Sequence, residues 1–473
     1  MSGSLKSNQR MRLDALNSMG VDGLVIILIL SKEFILDFLG FGFLLNVAIC
    51  CLIILRIITA QWRIPLFVYV AIALIPFFVA LALFVNGDFN IAARNIARLI
   101  QVGLYGLYFL FLKTSQSENL QALYERGFFF FNAILVLNMV IIVVQYVAPG
   151  AIMAVSDGTQ VMQEDLMSGL FGYGSTHSVA LYTSFVIVYD IGMLRRRSSD
   201  RRLLIIYIFV ITLLSFYIAT LNDNKALFFF LPISVFLCGV IFLAFYYKTA
   251  AIKAIFFVPI AIFVLFLLYL LIPTVHSFVE ENIVRSINMA IKAWDLGAYV
   301  NGSDERFNII AYALSLPEAW GFGDGLGQAD MYQMGYRGFN HFGQSDFGSL
   351  VILGGFWIYF LILFFYVKVL VTPQVLFRNK KAILYFAIVF LLLCSSVFTQ
   401  PFSQVRMAIP LILLGHALCT YWESFSQSAL EDRIPFTDSI QEAGIGERQR
   451  ARYRSSHSYQ AGNIKSNYDA PSF

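Results

Sequence analysis

Basic side chains at the ends of apolar segments are the groups of this sequence best suited to chemistry. Arg94 and Arg98 stand four positions apart, so a helix would present both on one face. Lys225 and Arg406 each stand at the start of a long apolar run. Arginine offers planar, bidentate donors and lysine a compact charge, and both groups suit phosphate oxygens. Together these residues predict a binding site for an anion of the diphosphate type.

Each of these cations also has a simpler interpretation. Arg94 could pair with Asp88 or reach lipid headgroups. Lys225 could pair with Asp223, and Arg406 could contact a lipid phosphate. A guanidinium within a membrane span costs at least about 2.5–3.5 kcal/mol on insertion scales, so such groups are usually paired or functional. The cations taken together favour a bound anion.

A polar interval over residues 301–355 carries further candidates. It contains Arg306 in a helical pattern, the glycine-rich run GFGDGLG (321–327), and His341 and Asp346 before an apolar run resumes. Glycines permit positive φ and let backbone N–H groups approach a ligand closely. The imidazole of His341 could accept a proton from an attacking sugar hydroxyl, or be a hydrogen-bonded interfacial histidine. Asp346 could cap the next helix, orient the histidine, or accept a hydrogen bond from a sugar.

Two further residues are candidates for sugar contact. His177 lies close to the start of another apolar run, where Ser175 or Thr176 would cap the helix. Trp320 could stack on the face of a sugar, although aromatic residues are common at membrane interfaces in any case. No H-x-x-x-H pair, Cys/His cluster or nucleotide fingerprint is present. Neither a metal nor a nucleotide cofactor is therefore predicted.

The composition indicates what positions these residues. Of the 473 residues, 59% are hydrophobic and 13% are charged, whereas soluble domains are about one quarter charged. The five cysteines all fall in apolar runs, so no structural disulfide is expected. Apolar runs of membrane-spanning length predict twelve spans. They lie near 20–38, 41–58, 65–86, 92–112, 127–147, 175–194, 203–221, 225–247, 254–274, 346–369, 382–398 and 405–422.

Lysine and arginine at the span ends predict the orientation. The basic residues, including the run RRRSSDRR (195–202), gather on one side, which is cytoplasmic and holds both termini. The outer side receives short links, a medium loop near 148–174 and a long loop near 275–345. Within the long loop, residues 303–316 show helical periodicity and are followed by Pro317.

This pattern resembles the O-antigen polymerase and ligase superfamily, which comprises Wzy-type polysaccharide polymerases and O-antigen ligases. The resemblance covers the layout of residues 20–420, and its motifs are specific only inside the long loop. The matching features are GLFGYGSTH (169–177), Lys225 at a span start, R-F-x-x-x-A (306–311), P-x-x-x-G-F-G-x-G (317–325), and His341 followed by L-x-x-L-G-G (350–355).

The resemblance implies a metal-independent enzyme that binds an undecaprenyl-diphosphate-linked glycan and transfers it to an acceptor hydroxyl at the periplasmic face. By position, Lys225 and Arg306 would hold the diphosphate, Arg306 as a catalytic residue. His341 would be the catalytic residue on the acceptor side. Two departures exist. The ligase pattern usually has arginine where this chain has Lys225, and it places histidine beside asparagine, two residues later than His341.

The expected fold is therefore an all-α polytopic membrane protein of about twelve transmembrane helices, GT-C-like, in the bacterial inner membrane. We expect a cytoplasmic segment (1–19), nine spans (20–274), a large, partly helical periplasmic loop (275–345), three spans (346–422) and a disordered cytoplasmic tail (423–473).

The expected activity is polymerisation of lipid-linked repeat units of an O-antigen, capsule or exopolysaccharide. A ligase that transfers the glycan to a lipid A core or a protein is the alternative within this class. A flippase or transporter of lipid-linked oligosaccharide is the alternative from another class, although such proteins tend to have short outer loops and two similar halves. Expected partners are membrane lipids, a chain-length regulator and other export-assembly proteins, but no nucleic acid.

Overall fold

The computed structural model describes the chain in separate stretches, in which every secondary-structure element is helical. Residues up to Glu423 belong to one compact unit, and the described residues from Ser424 onward belong to a second one. The continuous stretches are 42–60, 87–115, 127–148, 167–196 without 173, 201–246, 305–331, 345–371 and 381–431, with shorter pieces within 21–32, 62–81 and 276–288.

The α-helices of these stretches follow the apolar runs of the sequence. Two short 3₁₀-helices, Gly169–Phe171 and Pro317–Trp320, lie between them. The α-helices are α1 (Gly42–Thr59), α2 (Phe89–Ser115), α3 (Phe128–Val147), α4 (Thr176–Arg196), α5 (Arg201–Leu221), α6 (Lys225–Tyr246), α7 (Glu305–Ser315), α8 (Asp346–Leu370), α9 (Lys381–Phe398) and α10 (Val405–Glu431).

The prediction of a helical, polytopic membrane protein is confirmed. Eight of the described helices, α2–α6 and α8–α10, are long and apolar enough to cross a membrane. Each falls on a predicted span, and α10 differs most because it continues to Glu431. The spans predicted near 20–38 and 65–86 are described only in part, and the one near 254–274 lies outside the described residues, as does the tail after residue 431. Twelve spans remain a prediction.

One end of the bundle gathers the starts of α2, α4, α6, α8 and α10 and the ends of α3, α5 and α9; we call it the loop end. There the Asn224 side chain donates to the Thr176 carbonyl (2.9 Å), which joins the starts of α6 and α4. The Asp346 N–H donates to the Thr399 carbonyl (3.0 Å), which joins the start of α8 to the end of α9. The opposite end, which we call the basic end, carries basic residues, which include Lys113, Arg201, Lys368 and Lys381.

Helix α8 is bent sharply at Gly355, whose φ of 71° is not helical. The rings of Phe347 and Tyr359 have centroids 5.0 Å apart, whereas twelve residues of straight helix span about 18 Å. Ser345 and Tyr359 also both hydrogen-bond Ser396. The first part of α8 therefore folds back beside the second, because two successive glycines, Gly354 and Gly355, leave the backbone free to turn.

A buried ion pair joins the first helices near the basic end. The Arg56 guanidinium donates from two nitrogens to the Asp22 carboxylate, at 3.0 and 3.1 Å. The Tyr108 hydroxyl, on α2, donates to the same carboxylate at 2.8 Å. A charge inside an apolar bundle is tolerated when it is paired and hydrogen-bonded in this way. These contacts fix α1 and the chain near residue 22 against α2.

Candidate functional site

The two arginines that the sequence places on one face of α2 share a single carboxylate at the loop end. Arg94 Nη1 lies 3.3 Å from Asp330 Oδ2, and Arg98 Nη1 donates to Asp330 Oδ1. Asp330 is only 6% exposed, whereas the Arg94 side chain is 52% exposed. Asp88, the alternative partner for Arg94, instead accepts the N–H of Asn90 at 2.7 Å, in the first turn of α2. Arg94 thus keeps half of its surface available to a ligand.

Asn95 clamps the end of the glycine-rich segment onto α2. Its amide nitrogen donates to the carbonyls of Leu326 (2.7 Å) and Ala329 (2.8 Å), and its oxygen accepts the N–H of Met331 (3.0 Å). The side chain is fully buried. Sequence reasoning missed both Asn95 and Asp330. The available signal was an asparagine between two arginines in an apolar span, a position that needs hydrogen-bond partners.

A chain of hydrogen bonds connects this clamp to Arg406. The Met331 carbonyl accepts from Gln400 Nε2 at 3.3 Å. Gln404 Nε2 donates to Gln400 Oε1, and Arg406 Nε donates to Gln404 Oε1 at 2.9 Å. Three of the predicted cations, two on α2 and one on α10, therefore belong to one polar network at the loop end. We call Arg94, Arg98, Asp330 and Arg406 the cation cluster.

The glycine-rich run packs against the bend of α8. The N–H groups of Asp324 and Gly325 donate to the Ile352 (2.7 Å) and Leu353 (2.9 Å) carbonyls, which the bend at Gly355 leaves without helical partners. Gly323 has a φ of +67°, and a Cβ there would lie 2.5 Å from the Ile352 oxygen. For these N–H groups, the predicted role as a ligand cradle is wrong, because they cap the first half of α8.

Two motifs of the resemblance, the GFGDGLG run and the L-x-x-L-G-G run, are in direct contact through this cap. A Cβ atom at Gly355 would overlap the carbonyl oxygen of Gly321. A Cβ at Gly323 would in turn lie 2.7 Å from the backbone nitrogens of Gly354 and Gly355, so a side chain is excluded at one glycine of each run. Pro317 starts the 3₁₀-helix that leads into the first run, and α7 ends at Ser315 as the sequence predicts.

Asp346 lies in the interior and does not face a ligand. Ser345 is the N-cap of α8, since its Oγ accepts the N–H of Gly348 at 3.3 Å. Of the roles that the sequence leaves open for Asp346, capping of α8 is therefore excluded. Its carboxylate accepts the N–H groups of Phe402 (2.5 Å) and Ser403 (3.3 Å) and the Ser403 hydroxyl (2.5 Å). Asp346 is fully buried and ties α8 to the start of α10, a structural role that replaces sugar contact.

Lys225 belongs to a second group at the loop end. Its Nζ lies 3.3 Å from Asp223 Oδ2, so the pairing considered from the sequence is present, and both side chains are about half exposed. The neighbouring Asn224 bonds the Thr176 carbonyl, which places this turn beside half-buried His177. Phe229, one turn after Lys225, packs on Phe398 near the end of α9 (4.3 Å between centroids).

Two further predicted site residues lie on α7 and on the 3₁₀-helix after it. They are Arg306 and Trp320. Trp320 is 69% exposed, and its ring lies 4.8 Å from that of Phe356, just after the bend of α8. Arg306 lies in the first turn of α7, three residues before Ile309, which packs so tightly on Gly348 that a Cβ there would overlap it. The Arg306 side chain and all of His341 lie outside the described residues.

An apolar groove of about 210 Å³ lies between α2 and the second half of α8. Its lining includes Ile96, Gly103, Leu326, Phe365 and Phe402. Ile96 and Arg94 are two positions apart, so they point in nearly opposite directions from the helix axis. The groove and the two arginines of α2 therefore lie on opposite faces of this helix.

Among the described residues, no group of three His, Cys, Asp or Glu side chains could hold a metal ion. Comparison of the chain with protein-family models, curated proteins and solved structures gives no match. What the chain does must therefore be inferred from its residues and their geometry.

Proposed function

We propose that this protein is a membrane glycosyltransferase that polymerises undecaprenyl-diphosphate-linked repeat units of a bacterial surface polysaccharide. The loop end would face the periplasm, since the opposite end carries the basic residues typical of a cytoplasmic side. Both termini would be cytoplasmic, and the membrane would be the bacterial inner membrane.

The cation cluster is the observation that carries the proposal. Arg94 and Arg98 share the Asp330 carboxylate, and Arg406 belongs to the same polar network. A diphosphate diester carries two negative charges, and guanidinium groups gathered at one end of the bundle would attract it. Guanidinium groups donate bidentate hydrogen bonds to phosphate oxygens, and a partly water-excluded site strengthens those bonds. A substrate anion would bind beside Asp330 or displace its carboxylate from the arginines.

The proposed reaction needs little beyond charge stabilisation and one proton acceptor. The acceptor hydroxyl oxygen would attack the anomeric carbon of the donor glycan, and the bond from that carbon to the diphosphate oxygen would break. The electron pair leaves on the diphosphate, where Arg98, Arg406 and, by the resemblance, Arg306 and Lys225 would stabilise the charge. His341 would take the hydroxyl proton.

A transporter of lipid-linked oligosaccharide is the second candidate, and the broken helix α8 is the observation that favours it. Secondary transporters use discontinuous helices whose freed carbonyls coordinate ions. Here the freed carbonyls of Ile352 and Leu353 accept hydrogen bonds from Asp324 and Gly325 instead. That use of the break is structural, which favours the enzyme.

Purified protein supplied with a lipid-diphosphate repeat unit, without ATP and with a chelator, tests the proposal. Products of two or more repeat units on one lipid would support a polymerase. Transfer only to a lipid A core or a protein acceptor would replace the polymerase with a ligase. Movement of the intact lipid across vesicles, without a new glycosidic bond, would support the transporter.

A further inference from the structure

A small cavity lies beneath the turn between α5 and α6. Side chains from α4 and α5 and from the turn itself line it, among them Thr183, Ser215, Asn222 and Asn224. Its volume is about 10 Å³, close to the smallest volume that holds one water molecule. The remaining lining is apolar and includes Ile218 and Ala219.

Two residues of this lining, Asn222 and Asn224, each have an amide oxygen that lacks a hydrogen-bond donor from the described residues. Within the part of the chain that the structure describes, Asn222 Oδ1 and Asn224 Oδ1 have no partner, although the two residues are 0% and 2% exposed. Their amide nitrogens are engaged, since Asn222 Nδ2 donates to the Met167 carbonyl and Asn224 Nδ2 to the Thr176 carbonyl, both at 2.9 Å. Rotating either amide by 180° would place its oxygen against a carbonyl oxygen, so the atom without a partner is the oxygen in each case.

The lining can supply few of the missing hydrogens. Ser215 Oγ donates to the Ile211 carbonyl at 2.6 Å, so its hydrogen is used and its oxygen can only accept in addition. An occupant that bridges the two amide oxygens must therefore donate a hydrogen to each of them. A water molecule donates two hydrogen bonds and can accept one from the Thr183 hydroxyl, which gives the three bonds typical of a buried water.

We infer that this cavity is a binding site for a single water molecule that bridges Asn222 and Asn224. The bridge completes the hydrogen bonding of the turn from which Asp223 and Lys225 extend at the loop end. Asp223 itself adopts a positive φ of 45°, a conformation that needs support from the surrounding structure. The inference does not depend on the proposed function, because it concerns only the occupancy of the cavity.

High-resolution electron cryo-microscopy of the full chain in nanodiscs tests this inference, with one sample in sodium chloride and one in choline chloride. Density at hydrogen-bond distance, about 2.7–3.2 Å, from both amide oxygens is expected in both samples. Density only in sodium chloride, at shorter contacts, would identify a cation and overturn the inference. An empty cavity in both maps would also overturn it.

A matched pair of variants tests whether such density belongs to this cavity. Ala219→Val adds two methyl groups to the lining, so the density should disappear while the helices remain in place. Ala93→Val makes the same change at an exposed position of α2 and should leave the density unchanged. Density of full height in Ala219→Val would contradict the assignment.

Discussion

Asp330 and Arg98 are 232 positions apart in the sequence and form an ion pair at the loop end. The contact joins the segment after the glycine-rich run to α2, about one helical turn after Arg94. Because Asp330 is nearly fully buried, the pair is screened little by solvent. It sets both the position of the two guanidinium groups and the net charge that a ligand would meet.

Replacing Arg98 tests the diphosphate site. Arg98→Gln should lower the affinity for a lipid diphosphate about 10- to 100-fold, because hydrogen bonds to charged groups contribute about 1.5–3 kcal/mol. Arg201→Gln, at the exposed start of α5 on the opposite end, is the matched control and should bind normally. The measurement is a titration of purified protein with undecaprenyl diphosphate. Equal affinity of the two variants would exclude Arg98 from the site.

Asp330→Asn should have the opposite effect on anion binding. The variant removes the carboxylate that Arg94 and Arg98 share, and with it the competition between that carboxylate and a bound anion, so diphosphate should bind several-fold more tightly at low salt. Raising the ionic strength should weaken this gain. Asp88→Asn changes a carboxylate that caps α2 and should not produce it. Weaker binding by Asp330→Asn would mean that the carboxylate serves to position the arginines and not to compete with the ligand.

Two glycine-to-alanine variants test the close contact at the bend of α8. One lies at the contact, and the other reports the effect of alanine on an ordinary helix. Gly355→Ala places a Cβ against the Gly321 oxygen in a positive-φ conformation, so it should destabilise the protein by more than about 1 kcal/mol. Gly239→Ala, inside α6 with open space around it, should stabilise by up to about 1 kcal/mol. Thermal unfolding in detergent should therefore shift in opposite directions. Shifts of the same sign in the two variants would argue against the contact between Gly355 and Gly321.

Asn95→Leu should release the segment that Asn95 clamps. The variant loses the acceptor for the Met331 N–H and the donor for the Leu326 and Ala329 carbonyls. Hydrogen exchange at Met331 should become faster, by at least tenfold, while helices at the basic end keep their protection. Asn90→Leu, at an exposed position five residues earlier, is the control. Unchanged exchange at Met331 would show that other contacts hold the segment.

Arg306→Ala should abolish product formation while leaving membrane insertion intact, because its helix is anchored on α8 through Ile309. Product chains are measured with the purified protein, and insertion with membrane fractions. Normal product from this variant would remove Arg306 from the proposed diphosphate site.

The sequence predicts the helices well because membrane-spanning length and apolar content are local properties. It also identifies the shared face of Arg94 and Arg98, since four positions make about one turn. Their partner Asp330 could not be identified, because that pairing depends on tertiary structure over more than two hundred positions. For a similar reason, the local sequence leaves capping, orientation of His341 and sugar contact all open for Asp346. The residue before it satisfies the local capping rule, and its own partners, Phe402 and Ser403, come from a distant turn.

The glycine-rich run shows a different limit of sequence reasoning. Glycines at positive φ are expected both where a loop binds a ligand and where backbone packs on backbone. Only the bend at Gly355, which frees two carbonyls for Asp324 and Gly325, decides between these uses. A pair of glycines in an apolar run predicts such a bend weakly, because unbent membrane helices also contain glycine.

Binding of a lipid diphosphate to the cation cluster is the most direct test of the account. Undecaprenyl diphosphate and the uncharged undecaprenol are each titrated into the protein in nanodiscs, for the native chain and for the double variant Arg94→Gln, Arg98→Gln. The account predicts that the native chain binds the diphosphate at least tenfold more tightly than the alcohol, and that the double variant loses this preference. A double variant that keeps the full preference would contradict the central claim.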